Sequence, residues 1–411
     1  MIILFTLVNL LLIAFFARKE WKQSALSDST IYWSSLTLKL ITGIVVGMVY
    51  KYYYESGDTL TLFDDACKLT KLFYLKPFLY FNALLTGDLP LDITDEPRSV
   101  FFISIISLVN LITHDNYWLT SLWFSFFSFT CSYRLVTKLD SVFPSARTAS
   151  RIALLFTPSV VFWSSGIIKE TIAFGAVTML AVYFLSLMRG DKLTWRSIIG
   201  IILFMYLLLS LKYYWAAVLI PSMITAVIIR QVAPKRFLVP WFILVFFVLA
   251  FLASFTHPNF YLSRFLQVMV ENHDIYIVRS QPDKIIHYYN LTPDWSSIVI
   301  NSLWALWSGL FRPMIFEASS FPVVVAALEN LLLLGLVIWK LKFIRMPKPE
   351  NQVIVLTALV YVVVLCIFLA LSTPNFGTLS RFRVGFLPFF VLMILVDHPI
   401  LVQKSQKKSI A

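Results

Sequence analysis

VIVLTALVYVVVLCIFLALST, from Val353 to Thr373, contains no charged residue. It runs the length a helix needs to cross a bilayer, about 20 residues. Comparable apolar runs lie at 1–17, 31–50, 117–135, 151–165, 169–188, 197–211, 215–230, 237–256, 321–339 and 382–397. Lipid cannot satisfy backbone polar groups, so a chain with this many such runs must cross as helices. The pattern predicts an all-α polytopic helical membrane protein with about 11 transmembrane helices, residues 1–411 forming one integral membrane domain. Composition agrees: 14% of the 411 residues are charged and the mean hydropathy is +0.80, against about 25% charged in soluble proteins.

The net charge of +12 would suit a nucleic-acid binder, but its distribution argues otherwise. Of 34 basic residues, 20 fall in six clusters: Arg18–Lys22, Arg134–Arg151, Arg189–Arg196, Arg230–Arg236, Lys340–Lys348 and Lys404–Lys408. Eleven crossings with the N-terminus outside put all six in the cytoplasm, as the positive-inside rule requires. The C-terminus is then cytoplasmic and the protein sits in the cell (inner) membrane. Two further apolar stretches, 99–113 and 297–311, would break the rule if they crossed, so they read as helices on or dipping into the outer face. Thirteen spans is the alternative. The opening MIILFTLVNLLLIAFF lacks a basic start and a cleavage site, and reads as a retained helix.

Two segments are then large outer loops, 51–116 and 257–320. The first holds Glu55, Asp58, Asp64 and Asp65 within eleven residues, with Gly57 offering a turn. Its Lys68–Phe73 and Tyr74–Leu85 portions mix apolar and basic residues, as interfacial helices do. Asp88 to Pro97 forms a polar connector.

Further charges gather at the outer ends of spans. Pro158 breaks a helix, Ser164-Ser165-Gly166 allows a turn, and Lys169-Glu170 opens the next helix. Lys212 begins the tight turn Lys212-Tyr213-Tyr214-Trp215. Arg312 stands beside Pro313 at the end of an apolar stretch, with Glu317 five residues on, and Arg381 and Arg383 open the last span. Glu329, inside a span, is expected to face the bundle interior with a partner. Three scattered Cys and five scattered His show no ligand spacing, so no metal site is predicted; a divalent ion on carboxylates is compatible but not indicated. No glycine-rich phosphate loop is present.

Carboxylates and cations on one outer face suit transfer of a group from a phosphate to a hydroxyl. A carboxylate takes the hydroxyl proton and Lys and Arg neutralise the phosphate. Outside the cell that phosphate would be carried on a lipid. Gly57-Asp58-Thr59 with Phe63 and Ala66 resembles the first outer-loop acidic motif of the GT-C superfamily of polyprenyl-phosphate-dependent glycosyltransferases. Phe156-Thr157-Pro158…Trp163-Ser164…Lys169-Glu170 is similar to the second outer loop of that superfamily. Asn375…Gly377…Arg381…Pro388 resembles related bacterial exopolysaccharide glycosyltransferases and polymerases.

The resemblance implies inverting transfer of a sugar from a polyprenyl-phosphate donor to a glycan, lipid or protein acceptor on the extracytoplasmic face, without a resident cofactor. Asp58 and Glu170 become the catalytic carboxylates. Topology adds Glu55, Lys169, Lys212, Arg312, Glu317, Arg381 and Arg383 as substrate-binding residues. Membrane lipids, donor and acceptor are the expected partners. An extra leading helix and the lack of a soluble domain after the last span depart from the superfamily pattern. A polymerase or ligase acting on lipid-pyrophosphate-linked oligosaccharides is the first alternative, and a lipid-linked glycan flippase or transporter the second.

Overall fold

The computed structural model of the chain describes residues 2–24, 28–54, 58–89, 93–94, 96–232, 238–343 and 347–401, apart from the side chains of Ile2, Asp58, Leu262 and Ser263. Among the described residues it is all-helical, and its single β contact is an isolated bridge between Ile285 and Asn375. In chain order the first helices are α1 (Ile2–Gln23), α2 (Ser29–Met48), α3 (Asp58–Leu75), α4 (Pro77–Thr86), α5 (Pro97–Thr113) and α6 (Tyr117–Val142). Next come α7 (Arg147–Arg151), α8 (Pro158–Trp163), α9 (Lys169–Arg189), α10 (Trp195–Val232), α11 (Leu238–Ala253) and α12 (Leu262–Arg279). The last are α13 (Trp295–Phe311), α14 (Phe321–Leu341), α15 (Gln352–Ser372), α16 (Phe376–Phe382) and α17 (Leu387–Leu395).

Five described helices are long and apolar enough to cross a membrane, or up to seven if each of two bent pairs counts as one span. The bent pairs are α5 with α6, at 113°, and α16 with α17, at 67°. By that measure the expected eleven are not reached. One reason lies at 151–165, expected as a single span. There the chain runs as α7, a π-helical turn over Ile152–Phe156, and α8. Pro158 has no N–H and biases Thr157 to extended backbone (φ −65°, ψ 120°), so no continuous helix forms. Irregular backbone at this depth must be satisfied by protein. Glu329 on α14 does so by accepting the amide of Ser159 at 2.8 Å, the buried partnership expected of it.

Helix α9 is the central post, packed between α6 and α10. Its small residues Ala173, Gly175 and Ala176 are buried and admit neighbours closely.

Helix α10 folds back along this post. Gly200 meets the hydroxyl of Tyr183, Lys212 meets Glu170, and Arg230 donates to the carbonyl of Leu187 at 3.1 Å. A straight helix would carry residue 230 about 52 Å from Trp195, far beyond what these pairings allow. The reversal is at Lys212, the single residue of α10 with non-helical angles (φ −141°, ψ 61°). The two expected spans 197–211 and 215–230 are therefore its two arms.

Described residues of the clusters at 134–151, 189–196 and 230–236 meet the 18–22 segment at one end of the bundle. Arg134 pairs with Glu20 at 2.9 Å, Lys138 with Asp191 at 2.6 Å and Arg151 with Asp28 at 3.3 Å. Arg189 reaches the carbonyl of Val142 and the side chain of Asn351. Glu170 lies at the other end of α9. The two stretches expected on the outer face, 99–113 and 297–311, are α5 and α13. The expected interfacial segments are α3 and α4, and α4 leaves Phe78, Phe81 and Leu85 exposed.

Candidate functional site: a cationic cavity beside an apolar groove

Three short structures bring charge to the head of α9. The first is the turn before it. Gly166 takes φ +75°, where a side chain is strained, and its amide donates to Ser125 Oγ at 2.9 Å. The chain then points Lys169 and Glu170 inward as the first residues of α9. The second is the reversal at Lys212. The third is the turn at Asn375, whose side-chain oxygen accepts the amide of Thr378 and starts α16, with Arg381 in the last turn of that helix.

Glu170 is fully buried. Arg381 Nε donates to its Oε2 at 2.7 Å, and Lys212 Nζ lies 2.5 Å from its Oε1. Arg381 also donates to the hydroxyl of Tyr50 at 3.2 Å. The Lys212 ammonium stands 3.8 Å from the centre of the Phe382 ring, close enough for cation–π attraction. One carboxylate thus holds two cations in place. A carboxylate so occupied has little capacity left to accept a proton.

These cations line a cavity of about 580 Å³ together with Lys169, Arg98, Arg264 and Arg279, six in all, against Glu96 and Glu271 as lining carboxylates. Glu96 is committed. Arg98 is 2.5 Å from its Oε1, and Lys169 is 3.4 Å from its Oε2 and 2.7 Å from Ser99 Oγ. Burial alone would raise the Glu96 carboxyl, but the Ser99 hydroxyl, Lys169 and Arg98 outweigh it and hold it below the usual range. Arg98 lies over the ring of Tyr213, which stacks on His257 with centroids 4.4 Å apart. Burial and then Arg98 push the His257 imidazole below its ordinary value.

Helix α12 supplies another wall. The chain after it is pinned to the turn before α16: Ile286 donates to the Pro374 carbonyl at 2.9 Å, and Asn375 donates to Ser280 Oγ at 2.8 Å. Arg381 and α12 are therefore held in register.

A second, apolar groove of about 400 Å³ adjoins the cavity between α10, α11 and α15. Tyr214, Phe260, Phe265 and Phe368 belong to both linings. Outside the shared wall the groove is lined by Ala217, Val218, Phe246, Phe247, Ala250, Phe251, Ala253, Ser254, Trp295 and Val364.

Of the expected site residues, Lys169, Lys212 and Arg381 share the cavity with Glu170 behind them. Arg312, Glu317 and Arg383 do not line it. Arg312 Nε donates to Glu317 at 2.8 Å, and the Arg312 guanidinium lies over the ring of Phe376. Arg383 is buried and donates to the carbonyls of Leu310, at 2.8 Å, and Arg312, at 3.3 Å. These three brace the turns around α16. Glu55 lies outside the described residues. Asp58 is the first residue of α3, and the next residue, Thr59, donates to the carbonyl of Ile167 at 2.6 Å. The start of α3 is thus tied three residues from Glu170. Arg98, Arg264, Glu271 and Arg279 were not anticipated; a repeat of charge every two helical turns over 264–279 was the available signal.

No family model, curated protein or solved structure matches the chain.

Proposed function

We propose that the chain is an integral membrane glycosyltransferase that moves a sugar from a polyprenyl-phosphate donor to a glycan, lipid or protein acceptor. The observation that carries the reading is the shared wall between a cationic cavity and an apolar groove. A lipid phosphate needs both, one for its anionic head and one for its chain, set side by side at the membrane.

In this reading the acceptor hydroxyl attacks the anomeric carbon, the bond from that carbon to the phosphate oxygen breaks, and configuration inverts. The lipid phosphate leaves with the electron pair, neutralised by Lys169, Lys212 and Arg381. The hydroxyl proton passes to a carboxylate. Asp58 takes that role because the start of α3 is tied beside the head of α9 and because Glu170 is already occupied by two cations. Glu170 becomes a positioning residue. The gathering of basic clusters at the far end of the bundle favours a cavity on the extracytoplasmic side of the inner membrane, with the N-terminus outside and eleven crossings once irregular segments are counted.

The excess of cations over carboxylates also suits a pyrophosphate, which favours a second reading as a polymerase or ligase of lipid-pyrophosphate-linked oligosaccharides. Mass spectrometry of surface glycans and lipid-linked intermediates, with wild type, Asp58→Asn and a deletion, separates the two. Loss of one sugar in both mutants is the transferase outcome. Intact repeat units accumulating on lipid is the polymerase outcome. An unaltered profile would sink both.

A further inference from the structure

The cavity has more positive charge than a lipid phosphate uses, and the surplus sits on one element. Along α12, Arg264, Val268, Glu271, Ile275 and Arg279 recur at spacings of three and four and all line the cavity, so they form one stripe down the helix. Arg264 and Arg279 stand at its two ends, about 22 Å apart at the rise of an α-helix. Glu271 and Asn272 lie midway. All four are exposed, and Arg264, Glu271 and Arg279 make no ion pair among the described residues. They differ in this from Arg98, Lys169, Lys212 and Arg381, each held by Glu96 or Glu170.

We propose that the α12 wall is the acceptor track, and that the acceptor it takes is an acidic glycan bearing carboxylates, such as a hexuronate-containing oligosaccharide. The argument is one of matched chemistry. A guanidinium fork receives a carboxylate with two parallel hydrogen bonds, and two unpaired forks some 22 Å apart suit an extended chain carrying acid groups along its length. Between them, Glu271 and the amide of Asn272 face sugar hydroxyls. Phe260 and Tyr276, which also line the cavity, add rings of the kind that pack against sugar faces. Anchoring to phospholipid headgroups would need only cations; it would leave the carboxylate and amide without a use. The proposal rests on the glycosyltransferase reading for the word acceptor, but the binding site stands without it.

The test uses the full chain in phosphatidylcholine nanodiscs, with labelled tetragalacturonate as the acidic probe and labelled maltotetraose as the neutral one. Tetragalacturonate binds at least about tenfold more tightly than maltotetraose in the wild type, and the paired Arg264→Ala/Arg279→Ala variant loses that preference. Because the two arginines are exposed, the paired variant keeps its melting temperature. Equal affinity for the two sugars overturns the proposal, as does a paired variant that still prefers the acid. So does a paired variant that loses only its binding to phosphatidylglycerol vesicles, which makes the arginines lipid anchors. Failure of Asp58→Asn to affect transfer would instead strike the catalytic reading and leave sugar binding standing.

Discussion

Arg381 and Glu170, 211 residues apart in sequence, meet at 2.7 Å inside the protein. The contact joins α16 to the head of α9, and with Lys212 it closes a group of two cations around one carboxylate. Fold and cavity chemistry depend on the same atoms there.

Replacing Glu170 by Gln should therefore destabilise the chain strongly. It leaves two cations facing a neutral amide, and breaking a buried ion pair from one side costs about 3–5 kcal/mol. Unfolding in detergent is the measurement. Adding Lys212→Met to Glu170→Gln should recover part of the loss, as a double-mutant cycle reads coupling between neighbours. Strictly additive effects would mean that the pair is not coupled.

Arg381→Lys keeps the charge and loses the fork. A lysine presents one ammonium where Arg381 reaches both Glu170 and Tyr50, so its position over the cavity is no longer fixed. Affinity for farnesyl phosphate should fall about tenfold, roughly 1.4 kcal/mol, with the fold retained. An unchanged dissociation constant removes Arg381 from the phosphate site.

Acid should weaken the Glu96 tether. Its carboxyl titrates below the usual range, so the stabilisation it gives is present above the unfolded-state value and disappears as pH falls through the lowered folded-state value. The difference in melting temperature between wild type and Glu96→Gln should be full near neutrality and shrink as the pH falls below the ordinary glutamate value of about 4.3. A difference that stays constant through that fall would show that the Arg98 and Lys169 contacts do not stabilise the charged form.

Parts of this were legible from sequence because they rest on local rules. Val353–Thr373 is uninterrupted and apolar, and it is α15 to within one residue at each end. Pro158 starts α8, Lys169 starts α9, and Lys212 turns the chain, each through a property of one residue and its neighbours. The grouping of charges was not legible in this way. Arg312, Arg381 and Arg383 look alike in sequence; what separates them is the partner at the guanidinium, Glu317 five residues on for Arg312, the distant Glu170 for Arg381 and main-chain carbonyls for Arg383. The α12 stripe was missed for a different reason: its charges dilute the apolar signal, so the segment read only as loop.

The wall shared by cavity and groove has a kinetic consequence. A ligand with its head among the cations and its chain along Phe246 and Phe251 never has to pass through bulk water. Its encounter with the protein is a search in two dimensions, and saturation follows its mole fraction among the lipids. Diluting the bilayer with inert lipid would then empty the site as effectively as withdrawing the ligand, while changing the volume of the sample would do nothing.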